Sequence, residues 1–418
     1  MKVNLGAINK SFLISNTLIY STQALKLFFP LLILPFCINL IGIEKFGVVS
    51  VELSYVILLC FIIDFSVNVY GPSILASINI DERNIKIIRM TGLKFLIFGV
   101  LTLLILCLNL LTRDLLTTSF NIIFLCFAIG SIFDFNWVFL AEKSFAKLFF
   151  SQFIGIVFTL ITCLILYKNN FPASIIVALL LSLPLLISSV ISFILIDLPS
   201  RFNERKIPMK NFNLRLFIEE GMLHKKIFFS QIVSSLYTNS GPILLSFAKS
   251  PEIAGIWFII NRITSAVSAV SIVPYKSLFP DIVQVWAKNR YQINYNLNLS
   301  ISLYCLISIF LYIVIFLYFN EVKNFFIGTS ELPKKSIVLY MFFWTLAQLS
   351  GPVLTNYLIV KTHDNKLFFY NLSSVIILFT IFYPLTAFYS LNGWVLAMIL
   401  SQSFITIGFI KVLTNNFK

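Results

Sequence analysis

Charge is scarce in this chain. Asp, Glu, Lys and Arg make up 11% of its 418 residues, against roughly 25% in a soluble globular protein. Taken with the apolar excess, that scarcity excludes the soluble, disordered, collagenous and disulfide-scaffold classes. Only two histidines occur, His224 and His363, and both fall in polar stretches. A catalytic or zinc constellation built on His therefore has no material, and no metal or cofactor is expected. The six cysteines lie in or at the ends of apolar runs, and none forms a CxxC pair. They read as small hydrophobes. Acids are the scarcer charge, 17 against 31 bases, for a net +14. The bases flank apolar segments, so membrane orientation explains them and no nucleic acid partner is expected.

What is present is apolar sequence, 59% of the chain, with mean hydropathy +0.94. It comes in long continuous runs, unlike the alternating pattern of an outer-membrane barrel. A spanning helix needs ~20 apolar residues. Twelve segments of that kind are legible: 14–36, 48–71, 93–111, 119–140, 148–167, 172–196, 227–247, 253–273, 297–319, 336–359, 367–388 and 393–413. Lys26 interrupts the first run and no small-residue cleavage site follows, so no secretory signal is expected. With the N-terminus placed in the cytoplasm, 22 of the 31 Lys and Arg fall inside, 7 outside and 2 within spans. Among the inner bases are Arg83, Lys86, Arg89 and Lys94, counted as one loop. This excess puts both termini in the cytoplasm. The most basic loop, Asp197 to Lys226, falls mid-chain. The expectation is an all-α polytopic membrane protein with an N-terminal six-helix bundle (1–200), a basic cytoplasmic linker (201–226) and a C-terminal six-helix bundle (227–418).

An offset of 208 aligns Glu44-Lys-Phe-Gly47 with Glu252-Ile-Ala-Gly255, and Pro72 with Pro280. Trp137 and Trp344 miss by one position. A repeat of six-span halves explains this, and so does chance in a biased composition.

Four local patterns carry a resemblance. Gly42-Ile-Glu44-Lys-Phe-Gly47 opens the second span and Asp64-Phe-Ser-Val-Asn68 closes it. Asn136-Trp-Val-Phe-Leu-Ala-Glu142-Lys143 ends the fourth, and Glu252-Ile-Ala-Gly255-Ile-Trp-Phe-Ile-Ile-Asn-Arg262 opens the eighth. In order and spacing they resemble the polysaccharide-export branch of the multidrug/oligosaccharidyl-lipid/polysaccharide (MOP) exporter superfamily, with the nearest look to Wzx-type O-antigen flippases. One departure is Trp137-Val-Phe-Leu-Ala-Glu142, where members often carry Trp-x-Phe-Gln-Gly-x-Glu. The resemblance implies a MATE-like fold, two bundles around a central cavity. It implies a flippase, not an enzyme, moving undecaprenyl-pyrophosphate-linked repeat units from the cytoplasmic to the periplasmic leaflet of the bacterial inner membrane by alternating access. It implies coupling to H⁺ or Na⁺. The implied partners are the lipid-linked oligosaccharide, inner-membrane lipids, and the polymerase and chain-length regulator of the pathway.

A charge at mid-bilayer costs roughly 2.5–3.5 kcal/mol on insertion scales, so intramembrane ions are functional candidates. Lys26 (span 1) and Arg262 (span 8) are candidate cavity cations for the pyrophosphate, from opposite halves. The alternatives are a structural pair with a span-2 acid for Lys26, and an inter-helix pair or snorkelling for Arg262. Asp64, Asp134 and Glu52 are candidate coupling or gate acids. The alternative for the two aspartates is a salt bridge to the basic stretch Arg83–Lys94. Glu52 reads as facing interfacial water. It lies 12 residues before Asp64, about 120° past whole turns, so the two do not share a helix face. Gln23, Asn68, Asn239, Gln348 and Asn356 are candidate polar lining or helix-joining amides. Tyr237 and Trp344 are candidates to stack on sugars. Ser240-Gly-Pro242 and Ser350-Gly-Pro352 are expected bends. Residues 274–298 read as an interfacial amphipathic helix.

Three rivals stand beside this reading, the third a non-transporting scaffold, which the intramembrane Lys26 and Arg262 disfavour. An O-antigen polymerase would carry a large outer catalytic loop, whereas the longest here is Asn320 to Lys335. A drug antiporter of the same superfamily would share the fold.

Overall fold

A backbone in hydrocarbon must satisfy its own N–H and C=O groups, and a chain with these runs does so as helix. The computed structural model describes residues 10–112, 117–196, 214–272, 290–328, 333–348 and 364–415. Among the described residues every regular element is a helix. In the first half these are α1 (Lys10–Ile41), α2 (Ile43–Asp64), α3 (Val67–Ser77), α4 (Ile80–Thr112), α5 (Thr118–Ile132), α6 (Asn136–Ala141), α7 (Phe145–Lys168) and α8 (Ala173–Leu195). In the second they are α9 (Leu214–Asn239), α10 (Gly241–Ala248), α11 (Pro251–Ser271), α12 (Arg290–Leu317), α13 (Phe319–Phe326), α14 (Ile337–Ala347) and α15 (Asp364–Asn415).

Among the described residues eight helical stretches are long and apolar enough to cross a membrane, and the bent pair Ile301–Leu317 and Phe319–Phe326 makes a ninth if it is one span. One of the eight, inside α15, breaks at Ser390 (φ 53°, ψ −130°) and so covers two expected spans. All twelve expected segments fall on described helix, 336–359 only through α14. The polytopic all-α fold is as expected. Asn356, the Ser350-Gly-Pro352 bend and residues 274–289 lie outside the described residues.

The helices form two compact units. One is Met1–Ile33 with Glu52–Ser235, the other Leu34–Val51 with Leu236–Lys418. The end of α1 and the first turns of α2 thus pack with second-half helices. In the first unit α8 is flanked by α5 and α7, and α3 packs on α6. In the second, Trp257, Trp344 and Trp394 form the centre of the core, with ring centroids 5.1 and 5.7 Å from Trp257. The expected bend at Ser240-Gly-Pro242 is a helix break between α9 and α10. Gly241 is needed there for packing, since a Cβ would lie 2.1 Å from Trp257 Nε1.

The two motifs aligned by the 208 offset meet inside the second unit. A Cβ on Gly47 would lie 1.8 Å from the Pro251 carbonyl oxygen, and one on Gly255 would lie 3.1 Å from that of Ile43. Positions 43 and 47 correspond to 251 and 255, so the crossing is reciprocal.

Candidate functional site

Two expected spans of the first unit are broken, and the breaks build a polar cluster. After α2, Phe65 and Ser66 adopt φ of 48° and 60°, and the chain restarts as α3. Asp64 receives the Asn68 backbone N–H at 3.2 Å and the Asn68 Nδ2 at 2.9 Å, anchoring the first turn of α3. After α5, Asp134 accepts the Asn136 N–H at 3.0 Å, an Asx turn that starts α6. The Phe135 N–H goes to Ser192 Oγ at 3.2 Å. The Ser131 carbonyl is thereby left without its helical donor, and Lys94 Nζ takes it at 3.1 Å. Lys94 also pairs with Asp64 at 2.6 Å, and Asn68 Nδ2 reaches Asp134 at 3.3 Å.

The structure therefore brings Asp64, Asn68 and Asp134 together around Lys94. Lys94 is no loop residue. It lies inside α4 and is 0% exposed. Sequence reasoning misplaced it because it sits among four bases at the start of an apolar run. The cluster holds two carboxylates and one ammonium.

Glu52 stands apart, as the face arithmetic required. The expectation of interfacial water fails, since Glu52 is 7% exposed. Its carboxylate accepts the hydroxyls of Thr117 at 2.5 Å and Ser119 at 2.7 Å, at the N-terminus of α5. Thr117 also caps that helix by accepting the Phe120 N–H. A carboxylate beside unsatisfied N–H groups is stabilised by the helix dipole.

Lys26 and Gln23 are exposed on α1. Among the described residues Lys26 has no ion pair, and the span-2 acids are engaged elsewhere. Gln23 and Lys26 form one stripe, while the exposed apolar Phe28 and Leu32 lie about 170° around the helix. The polar stripe thus faces away from the apolar one.

In the second unit Arg262 is half-buried, with its guanidinium 4.9 Å from the Phe258 ring centre. Phe258 is braced edge-on by Phe46 at 5.8 Å. Among the described residues no carboxylate pairs with Arg262. Asn261, Ser265 and Ser268 share its side of α11 within an arc of about 120°, and all are half-buried. Ser268 donates to Gln348 Oε1 at 2.9 Å, and the buried Tyr304 hydroxyl reaches Ser268 at 3.4 Å. Sequence reading found Arg262 and Gln348 but missed the small polar residues, whose helical spacing was the available signal. Asn239 donates to Thr238 Oγ1 at 3.0 Å. Tyr237 and Trp344 are buried in the core, with the Tyr237 hydroxyl donating to the Met398 carbonyl. They are not placed to stack on sugars.

A further cluster was missed because its members are far apart in sequence. Glu220 of α9 is 3% exposed and pairs with Lys86 of α4 at 2.7 Å. His224, one turn on, lies 3.4 Å from Glu220 and stacks on Tyr70 at 4.1 Å. Burial, helped by Lys86, pushes the His224 pKa below its ordinary value, and Glu220 opposes the shift without cancelling it.

Residues 13–286 match the profile of a family described as "Polysaccharide biosynthesis protein". No curated protein sequence matches the chain. Among solved structures, the lipid II flippase MurJ in an inward closed conformation is similar with TM-score 0.64 at 14% identity, over 96% of this chain and 87% of that one. An inward-facing multidrug resistance MATE transporter of the MOP superfamily is similar with TM-score 0.59 at 10% identity, over 96% and 94%. An outward-facing MATE transporter of that superfamily gives 0.54 at 12%, over 94% and 93%. At these identities the likeness is one of fold.

Proposed function

Because the chain belongs to the polysaccharide biosynthesis protein family, we propose that it is a flippase for a lipid-linked oligosaccharide, with an O-antigen-type repeat unit on undecaprenyl pyrophosphate as substrate. It works in the bacterial inner membrane, with both termini cytoplasmic, and carries the unit to the periplasmic leaflet by alternating access. The observation that carries this reading is Arg262, a guanidinium without a carboxylate partner among the described residues, in a half-buried polar stripe of an otherwise apolar helix. A cation held this way is suited to a diphosphate, which it can grip with two parallel N–H donors. Lys26, on the polar stripe of α1, is the other candidate cation for a phosphate group. The uncharged Asn261, Ser265 and Gln348 suit sugar hydroxyls. The cluster of two carboxylates and one ammonium carries one net negative charge when both acids are ionised. It is the proposed coupling element, taking up H⁺ or Na⁺ at Asp64 and Asp134. The product passes to the polymerase and chain-length regulator of the pathway.

Complementation of a flippase-null bacterium carrying the cognate glycan genes tests the reading. Wild type is expected to restore surface polysaccharide. Arg262→Ala or Lys26→Ala, at matched expression, is expected to leave single lipid-linked units inside. Units that stay inside with wild type refute flipping of that glycan. Units that cross but fail to lengthen when the protein is absent make it a polymerase. Normal function of both variants removes the cation sites.

A further inference from the structure

The first four turns of α9 have a second face. Phe217, Glu220, Gly221, His224 and Phe228 turn toward the other helices of the first unit, where Phe228 stacks on Phe65 at 4.0 Å and Phe217 lies against Gly92. These five cover an arc of about 100° on the helix. Outside that arc Leu214, Ile218, Met222 and Phe229 are 61, 49, 58 and 54% exposed. They fall within about 80° of one another, while the exposed Leu223 and Ile227, 72 and 38%, lie about 140° and 180° from the middle of that sector. Lys225 lies inside this apolar sector and Lys226 at its edge, and both are exposed. Among the described residues neither has an ion-pair partner, whereas the nearby Arg215 engages Glu219 at 2.9 Å.

This stretch is not one of the helices apolar enough to cross a membrane. Yet leaving four large apolar side chains in water is unfavourable, by roughly 25 cal/mol per Å² of apolar surface. An exposed apolar sector with cations in and beside it suits the headgroup plane, the apolar side chains among the acyl chains. The ammonium groups reach the phosphates on their flexible stems.

We propose that residues 214–229 of α9 form a docking surface for anionic phospholipid. Leu214, Ile218, Met222 and Phe229 enter the leaflet, and Lys225 and Lys226 bind headgroup phosphates. Charge complementarity selects anionic over zwitterionic lipid. The opposite face of the same turns carries Glu220 and His224, so bound lipid clamps α9 onto α3 and α4.

Native mass spectrometry of the full chain in detergent tests this, with phosphatidylglycerol or phosphatidylcholine added and no oligosaccharide substrate present. The absence of substrate keeps the result independent of the flippase reading. Wild type is expected to retain phosphatidylglycerol preferentially. K225Q/K226Q is expected to weaken it about 30-fold, the worth of two cations near a charged surface, without changing phosphatidylcholine. K168Q/K334Q removes the same charge from exposed positions elsewhere and is expected to behave as wild type. The proposal is overturned if K225Q/K226Q keeps wild-type phosphatidylglycerol binding, or if K168Q/K334Q loses as much.

Discussion

Replacing Lys94 with Met tests whether the cluster at the α2–α3 break is held by its ion pair. Lys94 Nζ makes two contacts, the Asp64 carboxylate at 2.6 Å and the Ser131 carbonyl at 3.1 Å. Methionine matches the stem in length and supplies neither. Removing one partner of a buried pair costs about 3–5 kcal/mol, because the other charge stays buried. Asp64 keeps the two Asn68 hydrogen bonds and is 14% exposed, so its loss belongs at the lower end. The expected destabilisation is about 3 kcal/mol. The double variant K94M/D64N removes both charges and is expected to recover most of that loss, since an amide preserves the shape without the stranded charge. Reversible unfolding in mixed micelles, with wild type, both single variants and the double variant, gives the coupling energy directly. A double variant as unstable as the sum of the two singles means the pair contributes nothing, and the account of the cluster fails.

Three further outcomes follow from the geometry. Gly47→Ala should lower the melting temperature sharply, because the added Cβ meets backbone at Pro251; Gly99→Ala, where a Cβ meets nothing within 4 Å, should not. Equal effects would dismiss the close crossing. Glu52→Leu should cost about 0.5–1.5 kcal/mol by removing the acceptor of the Thr117 and Ser119 hydroxyls, with Glu52→Gln losing less; thermal melts that rank them otherwise contradict the capping role. The third concerns pH. The docked His224 has a pKa below 6.5, so the undocked form protonates first. Docking of α9 is then complete above about 6.5 and weakens as pH falls through it. Protection of residues 214–228 from hydrogen exchange, relative to the intrinsic rate at each pH, should fall from pH 7.5 to 5.5, and His224→Phe, which keeps a ring on Tyr70, should abolish the slope. A slope that persists in that variant assigns it to another group.

Hydropathy alone located the twelve helical regions, because backbone burial in lipid leaves few alternatives. What it missed are interruptions and long-range partners. The breaks at Phe65-Ser66 and at Asp134 fall inside apolar runs, where no Pro or Gly marks them. Lys94 looked like a loop cation because sequence shows neighbours along the chain, and its partners are 30 and 37 residues away. Glu52 looked wet because its hydroxyl donors belong to a segment 65 residues on. Arg262 was legible because a lone guanidinium in an apolar helix is conspicuous wherever it points. The serines beside it were not, since small hydroxyl residues are ordinary in membrane helices.

The crossing at Gly47 and Gly255 has the form that a duplicated two-fold contact would leave. Where two identical chains meet about a two-fold axis, residue i of one touches residue j of the other and j touches i, so each contact is made twice. In such a homodimer one glycine does the work of both positions, and one substitution would be felt twice. Once the copies are joined in tandem, the two glycines become separate mutational targets guarding a single contact. Lys45-Phe46 and Ile253-Ala254 differ between the two motifs, while neither glycine can acquire a side chain unless backbone on the other side gives way.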